Sequence, residues 1–356
     1  MTPRLRAAVI GCGRIGTYTL PEVRSALPPG WLPLNHAEAI RSQDDLELVA
    51  VCDVVPDHVD RARRIHGVDR GYSDYRTLVD EEHPDVLAIA TRTAGRCDIV
   101  AYAAERGVRG MHVEKPLGTN LRDVRRALDA VRANGVALTY GTTRRFMEAY
   151  REARAIVQRG DIGTPEQIIV QHGRGLLLWS HPHSADLLVF FAGEASVAGV
   201  QAQCTIAQAD PGGLHVDEDP FVESAFVRFA SGMTGLITSG GGNDTLVSGT
   251  HGTVTVAADG AWIETRRRER DDDAYPTRWS RSTPRIAQSG TQRAFAELAA
   301  AVGGARAPSI SLAEIEASQQ IVLLAAWSSL HEGRMVTPAE LPLDFTVAGA
   351  FRGRYA

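Results

Sequence analysis

The chain is predicted to be an α/β protein of two domains: a doubly wound parallel sheet at the amino end, then an α+β domain with a large, open, mostly antiparallel sheet. Three observations predict it. At 356 residues the chain is longer than one hydrophobic core usually serves. Short β-branched strands alternate with helical segments as far as about residue 141, the rhythm of a parallel sheet covered on both faces. Beyond that point long β-rich segments dominate and helices become few, which suits an antiparallel sheet with helices on one face. The expected domains are residues 1–141 and 142–356.

The first element is "RAAVIGCGRIG", a strand over 7–10 running into Gly11, Gly13 and Gly16, with Arg14 and Ile15 inside the turn. This is the spacing of a Rossmann dinucleotide-binding turn, whose glycines let the backbone approach a pyrophosphate. A second apolar strand, 46–52, ends in Asp53, an acid placed to accept both ribose hydroxyls of an adenosine. That pattern predicts NAD. Asp53 would repel a 2′-phosphate and Val54 and Val55 offer no cation, although Arg61, Arg63 and Arg64 follow on the next helix. Asp53 lies well beyond the roughly 20 residues usual from such a turn. The excess is an insert, 17–35, in which Pro21, Pro28, Pro29 and Pro33 forbid one continuous helix.

Alternation resumes with helix "HAEAIRS", helix "DHVDRARRIHG", strand "DVLAIAT", helix "CDIVAYAAERG", strand "GMHVEKP", helix "LRDVRRALDAVRANG" and strand "VALTYG". The second domain then carries "QIIVQHG", "SVAGVQAQCTIAQAD", "FVESAFVRFAS", "MTGLITSGGG" and "GTVTVAAD" as strands. The run "ETRRRERDDDAYP" compensates its own charges and reads as a solvated loop.

A net charge of -5, from 38 basic and 43 acidic residues, supplies no electrostatic footprint for nucleic acid or an anionic membrane, so small molecules are the expected partners. Cys12, Cys52, Cys97 and Cys204 lack CxxC spacing and suit reduced thiols, and no segment reaches membrane-spanning length. A cytoplasmic protein without a metal site is expected. Among the basic residues only one, Lys115, is a lysine. A chain that writes arginine elsewhere has kept one compact, titratable amine here.

That lysine stands in "EKP", Glu114 to Pro116, at the carboxyl end of a sheet strand, the edge at which open α/β sheets bind ligands. With the glycine turn, Asp53 and the αβ second domain, the chain resembles the Gfo/Idh/MocA family of glucose-fructose oxidoreductase and inositol dehydrogenase along nearly its whole length. The resemblance implies hydride transfer between a nicotinamide cofactor and a secondary alcohol of a sugar or cyclitol, with Lys115 beside the reacting hydroxyl. Gly11, Gly13, Arg14, Ile15, Gly16, Asp53, Thr91, Glu114 and Lys115 are then the cofactor-facing residues.

The resemblance also places a histidine ahead of a helix, preceded by an aspartate four residues earlier and followed by another three later. In "LLLWSHPHSAD" these positions are His183, Trp179 and Asp186. His183 is expected to accept the hydroxyl proton, being an imidazole that titrates near neutral pH. Pro182 suits the first helical position, so Asp186 lies one turn on, where it could orient the ring or simply favour the helix dipole. Trp179 cannot replace a carboxylate. Were residues 179–181 extended, Trp179 and His181 would share a side, and His181 could stand in for the missing acid. In the same comparison Arg144 of "GTTRRF" reaches substrate hydroxyls, and His172 and Arg174 of "QHGRG" face the same region.

The expected activity is NAD-dependent oxidation of a sugar-like secondary alcohol, or its reverse. A redox-neutral glycoside cleavage with retained NAD, and a non-catalytic NAD-sensing regulator, are the alternatives. A shortened link before Trp179, its aromatic face and the acids of "HVDEDP", Asp217 to Asp219, suggest an amino-sugar or aminocyclitol conjugate rather than a free monosaccharide. The uncovered face of the second sheet predicts a homodimer or homotetramer.

Overall fold

The computed structural model describes residues 3–28, 30–193, 195–206, 213–270 and 274–349. Pro29 of the insert and residues 207–210, at the end of one expected strand, lie outside them.

The first sheet has six parallel strands: β1 (Leu5–Ile10), β2 (Leu46–Cys52), β3 (Arg70–Tyr72), β4 (Val86–Ile89), β5 (Gly110–Val113) and β6 (Ala137–Tyr140). Their order, β3-β2-β1-β4-β5-β6, reverses direction between β1 and β4, where a doubly wound sheet opens its ligand crevice. Successive side chains of β1 go to opposite faces: Ala7 and Val9 enter one core, Ala8 and Ile10 another. Both faces are covered, which is why these strands read as continuous apolar runs.

The helices of this part are α1 (Pro21–Ala26) and α2 (His36–Arg41), then α3 (Pro56–His66), α4 (Tyr75–Glu82), α5 (Arg96–Glu105) and α6 (Leu121–Ala133). The prolines break the insert as expected: it holds only the short α1, and α2 starts afresh behind an Asn35 cap that accepts from the Glu38 N–H. The insert also reaches across, since Leu27, Trp31 and Leu34 pack into the core of the second domain.

The second domain begins with α7 (Glu148–Gln158), β7 (Pro165–Gln171), β8 (Gly175–Leu176) and α8 (Pro182–Ala192). Strands β9 (Val197–Thr205), β10 (His215–Val216), β11 (Phe221–Phe229), β12 (Thr234–Thr238), β13 (Asp244–Gly249), β14 (Gly252–Ala257), β15 (Trp262–Arg267) and β16 (Arg278–Ser282) follow. The chain ends with α9 (Gly290–Val302), α10 (Leu312–Leu330) and β17 (Thr346–Val347). The large sheet runs β16-β15-β14-β13-β7-β12-β11-β8 with β9 beside β11, and among its described pairings only β7 with β12 is parallel. Val222 and Val227 of the sheet meet Leu188 of α8 and Leu323 of α10 in one core.

Late in the chain a helix returns to the first sheet. Helix α9, opened by a Ser289 capping box, puts Phe295 and Leu298 into the first sheet's core. A Cβ on Gly110 of β5 would come within 2.5 Å of Val302, so that strand needs its glycine. Helix α9 thus packs on the first sheet although it follows residue 141 in the chain. No described helix is long and apolar enough to cross a membrane.

Candidate active site

The glycine turn is built as a phosphate cradle. Gly11 has φ +96° and a Cβ there would lie 2.6 Å from the Ala90 backbone; one on Gly16 would lie 1.7 Å from the Gly11 carbonyl. Gly13 faces open space, with nothing within 4 Å of a Cβ. Two glycines thus close the turn and the third keeps it approachable, as a bound pyrophosphate requires. Arg14 and Ile15 lie half-buried between them. At the end of β2, Asp53 accepts from the backbone N–H of Cys12 at 2.7 Å and of Val55 at 2.9 Å, which fixes its carboxylate beside the turn. Arg61 donates to the Cys12 carbonyl and lies over the Tyr18 ring, and Arg63 pairs with Asp60, so both cations have partners within the protein. These residues are of the kind and in the places that a dinucleotide-binding turn needs.

Strand β5 delivers Glu114 and Lys115, and the Lys115–Pro116 peptide is cis. Beneath them lies a polar cluster that the sequence reading did not anticipate. His36, first residue of α2, contacts Glu114 Oε1 at 3.1 Å, and its ring packs edge-on against His112, whose Nδ1 contacts Thr139. Burial pushes the Glu114 carboxyl up, but the His36 hydrogen bond and the nearby charges of His36, Lys115 and His112 outweigh it and hold it at about 2. Buried Arg96 gathers the carbonyls of Thr91, Glu114 and Pro116 and so clamps two strand ends together. Thr91 is left with a buried hydroxyl that has no partner, facing the same edge.

Lys115 points across to the second domain. Its Nζ donates to the Trp179 carbonyl at 2.5 Å and sits 4.4 Å from the centre of the Trp179 ring. Burial is the main influence on the amine, with Arg96 and Arg144 adding to it against Glu114 and Asp219; together they lower it to about 8.

The segment before α8 departs from expectation. Ser180 and His181 both donate backbone N–H groups to the Leu176 carbonyl, and His181 has helical φ/ψ, so residues 177–181 turn rather than extend. Trp179 is 39% exposed while His181 is buried. The two therefore do not share a side, and His181 takes no acid's place: its Nδ1 meets Ser184 and burial lowers it to about 4.

Asp186 is likewise not the partner of His183. Both its oxygens are held by Arg145, at 2.8 to 3.1 Å, and Arg145 also reaches Glu314 at 3.3 Å. Shared placement on a helix face let Asp186 be read as an orienting acid, but the buried guanidinium claims it. Arg174 is removed from the site too: it bonds Glu223 at 2.7 Å and Thr205, and lies over the Phe221 ring at the sheet surface.

What does assemble is Lys115, His183, His172 and Arg144. Arg144 is locked by a bidentate pair with Asp259 at 2.7 and 2.8 Å and stacked under Trp31 from the insert. His183 keeps an unpartnered buried Nδ1, and both ring nitrogens of His172 are buried without partners. Enclosure first, then Lys115, Arg144, His172 and His181, push the His183 imidazole well below its usual range; His172 is lowered likewise by burial, Arg144 and His181. His183 is thus neutral throughout the physiological range, not poised near neutrality. Buried polar atoms without partners are costly, and their convergence beside an amine marks a place where a hydroxylated ligand would satisfy them. Asp219 completes the group, its oxygens accepting from the backbone N–H of Leu178 at 2.7 Å and Trp179 at 3.0 Å.

Of these residues, Glu114, Lys115, His172, His183 and Arg144 were legible in the sequence as site residues. His36, Arg96, Trp31 and Asp259 were not, because each is defined by a partner far along the chain.

Comparison with known proteins agrees with the fold and with the dinucleotide-binding turn. The profile of an oxidoreductase family, with NAD-binding Rossmann fold and the designation GFO_IDH_MocA, matches residues 5–142. The chain is 27% identical over 246 residues to a myo-inositol 2-dehydrogenase of Thermotoga maritima, covering 65% of this chain and 67% of that one. It is 25% identical over 283 residues to a scyllo-inositol 2-dehydrogenase (NAD(+)) of Bacillus subtilis, covering 72% and 75%. The structure of a levoglucosan dehydrogenase in complex with NADH and levoglucosan superposes with a TM-score of 0.74 at 17% identity, covering 95% of this chain and all of that one. Residues 5–142 are an NAD-binding Rossmann domain that matches the oxidoreductase family designated GFO_IDH_MocA, and the chain is an oxidoreductase similar to the inositol dehydrogenases.

Proposed function

We propose that the chain is an NAD-dependent dehydrogenase acting on a secondary alcohol of a sugar, cyclitol or amino-sugar conjugate, with Lys115 and His183 handling the hydroxyl proton. The observation that carries this is the amine of Lys115, lowered to about 8 at the mouth of the Rossmann crevice beside neutral, unpartnered His183 and His172. The glycine turn, Asp53 and the Thr91 edge would hold NAD, which would supply the hydride acceptor or donor. An amine titrating near the working pH is matched to removing a hydroxyl proton and returning it in the reverse direction. Neutral His183 orients that hydroxyl by hydrogen bonding, and Arg144, held by Asp259, supports neighbouring oxygens on the ring. Relatives named for inositols and levoglucosan support a ring polyol as the substrate class.

The amino-sugar part of the reading rests on Asp219 and its exposed neighbour Asp217, since Lys115 already occupies the Trp179 face. We propose further that the protein works in the cytoplasm with its four cysteines free, and as a homodimer or homotetramer joined through the open face of the large sheet, which exposes Trp279. Light scattering at micromolar concentration showing a monomer would refute the assembly.

The test of function is NADH formation by purified protein with NAD against inositols, free sugars, glycosides and aminoglycosides. Absorbance growth with one class supports the reading. Bound NAD with glycoside cleavage but no NADH release would make the enzyme redox-neutral, and NAD binding with no turnover would make it a regulator.

A further inference from the structure

Asp219 comes from the connection between β10 and β11, far along the chain from Lys115, yet the two are joined through one residue. The backbone N–H of Trp179 donates to Asp219, while the carbonyl of the same residue accepts from Lys115 Nζ. The Leu178 N–H takes the second Asp219 oxygen, so the carboxylate holds two successive amides and fixes the turn that carries the Trp179 carbonyl and ring. We propose that Asp219 is a positioning residue for Lys115: it sets the direction of the amine through Trp179 and places a negative charge where it acts on that amine.

The other carboxylate beside Lys115, Glu114, is committed to His36 and to the Lys115 backbone N–H and is held near 2, so it stays ionised. Arg96 and Arg144 are tied to backbone carbonyls and to Asp259. The histidines that meet the amine's field, His183 with His172 and His181 behind it, are all pushed below their usual range. Asp219 is different: burial pushes it up to about 6, against the pull of the Leu178 and Trp179 amides and of Lys115. Among these groups it is the one whose charge changes just below neutrality, and its loss of charge removes an attraction that favours the ammonium form.

The chain's one lysine makes this directly readable. Full-length protein labelled with [13Cε]lysine gives a single side-chain resonance whose shift follows the amine. The proposal predicts a main titration near pH 8 and a smaller inflection near pH 6 in the unaltered protein. In Asp219→Asn the smaller inflection disappears and the main midpoint moves to lower pH by about one unit, the size of effect a nearby opposite charge produces. This arm does not depend on the assignment of Lys115 to substrate chemistry. The turnover arm rests on that reading: kcat of the Asn variant for NAD reduction by the best ring polyol should fall at least about tenfold, with KM changed less. Identical Lys115 titrations in the two proteins would overturn the proposal even if both turn over substrate. Should the Asn variant fail to bind NAD, the unaltered protein decides alone, and a one-step titration there overturns it.

Discussion

Two carboxylates lie on either side of the histidine-bearing turn, and they differ in what surrounds them. Asp186 is enclosed and receives a guanidinium along both oxygens, with Glu314 completing the network around Arg145. Asp219 receives backbone amides rather than a guanidinium and faces an amine that also belongs to the proposed reaction site. The first pair is closed, a buried guanidinium set against a buried carboxylate, and its work is to hold α8 against the turn over residues 143–146 that carries Arg145. The second is open, with a charge that can change and a neighbour that can use the change. Closed ion pairs fix structure, while groups left incompletely satisfied are where a ligand or proton finds a role.

The largest effect should fall on the open side. Lys115→Ala and His183→Ala are each expected to reduce turnover by about 10² to 10⁴, with NAD affinity changed only a few-fold, measured by single-turnover kinetics and cofactor titration. If His181→Ala proves far more damaging than His183→Ala, the assignment of the two histidines must be exchanged. On the closed side Asp186→Ala should act through stability, by about 3–5 kcal/mol, because it strands a buried guanidinium. Thermal unfolding would show it; a variant as stable as the parent that loses only kcat would make Asp186 a member of the site after all.

How far these differences were legible follows from the range of the interactions. Strands β1, β2, β5 and β6 were readable because a short apolar run and its glycine or acidic terminus are local features. Strand β3 has three residues, none of them buried, and leaves almost no pattern. The one-turn spacing of His183 and Asp186 correctly put both at the start of α8, but helix geometry cannot say which residue across the core will claim the acid. Arg145 does, from the turn that follows β6. The wrong inference about His181 had a similar origin: alternation of sides holds for an extended chain, and the Leu176 carbonyl gathers Ser180 and His181 into a turn instead. Asp219 was visible as an acid in "HVDEDP", but only its backbone partners distinguish it from its exposed neighbours.

Smaller effects sharpen the same contrast. NAD should bind at least about tenfold more tightly than NADP, a difference of about 1.4 kcal/mol, because Asp53 is fixed beside the glycine turn and Arg61 is engaged with Cys12 and Tyr18. Equal affinities in a titration would show that Arg61 turns toward a 2′-phosphate. Arg174→Ala should leave kcat/KM unaltered within twofold, since its partner Glu223 is on the sheet surface and such pairs contribute little. A large rise in KM would return Arg174 to the substrate site.

The central claim is that the amine of Lys115 takes the hydroxyl proton. Burial favours the neutral amine, so half of Lys115 is deprotonated near pH 8 rather than at the 10.5 of an ordinary lysine. For oxidation the neutral form is the competent one, so kcat/KM should rise with pH below that value and level above it. The direct measurement is the pH profile of kcat/KM for NAD reduction by the best ring polyol, in the parent protein and in Lys115→Ala. The account predicts a midpoint near 8 that the variant abolishes; a profile with no inflection there, or one that Lys115→Ala retains at reduced height, would contradict it.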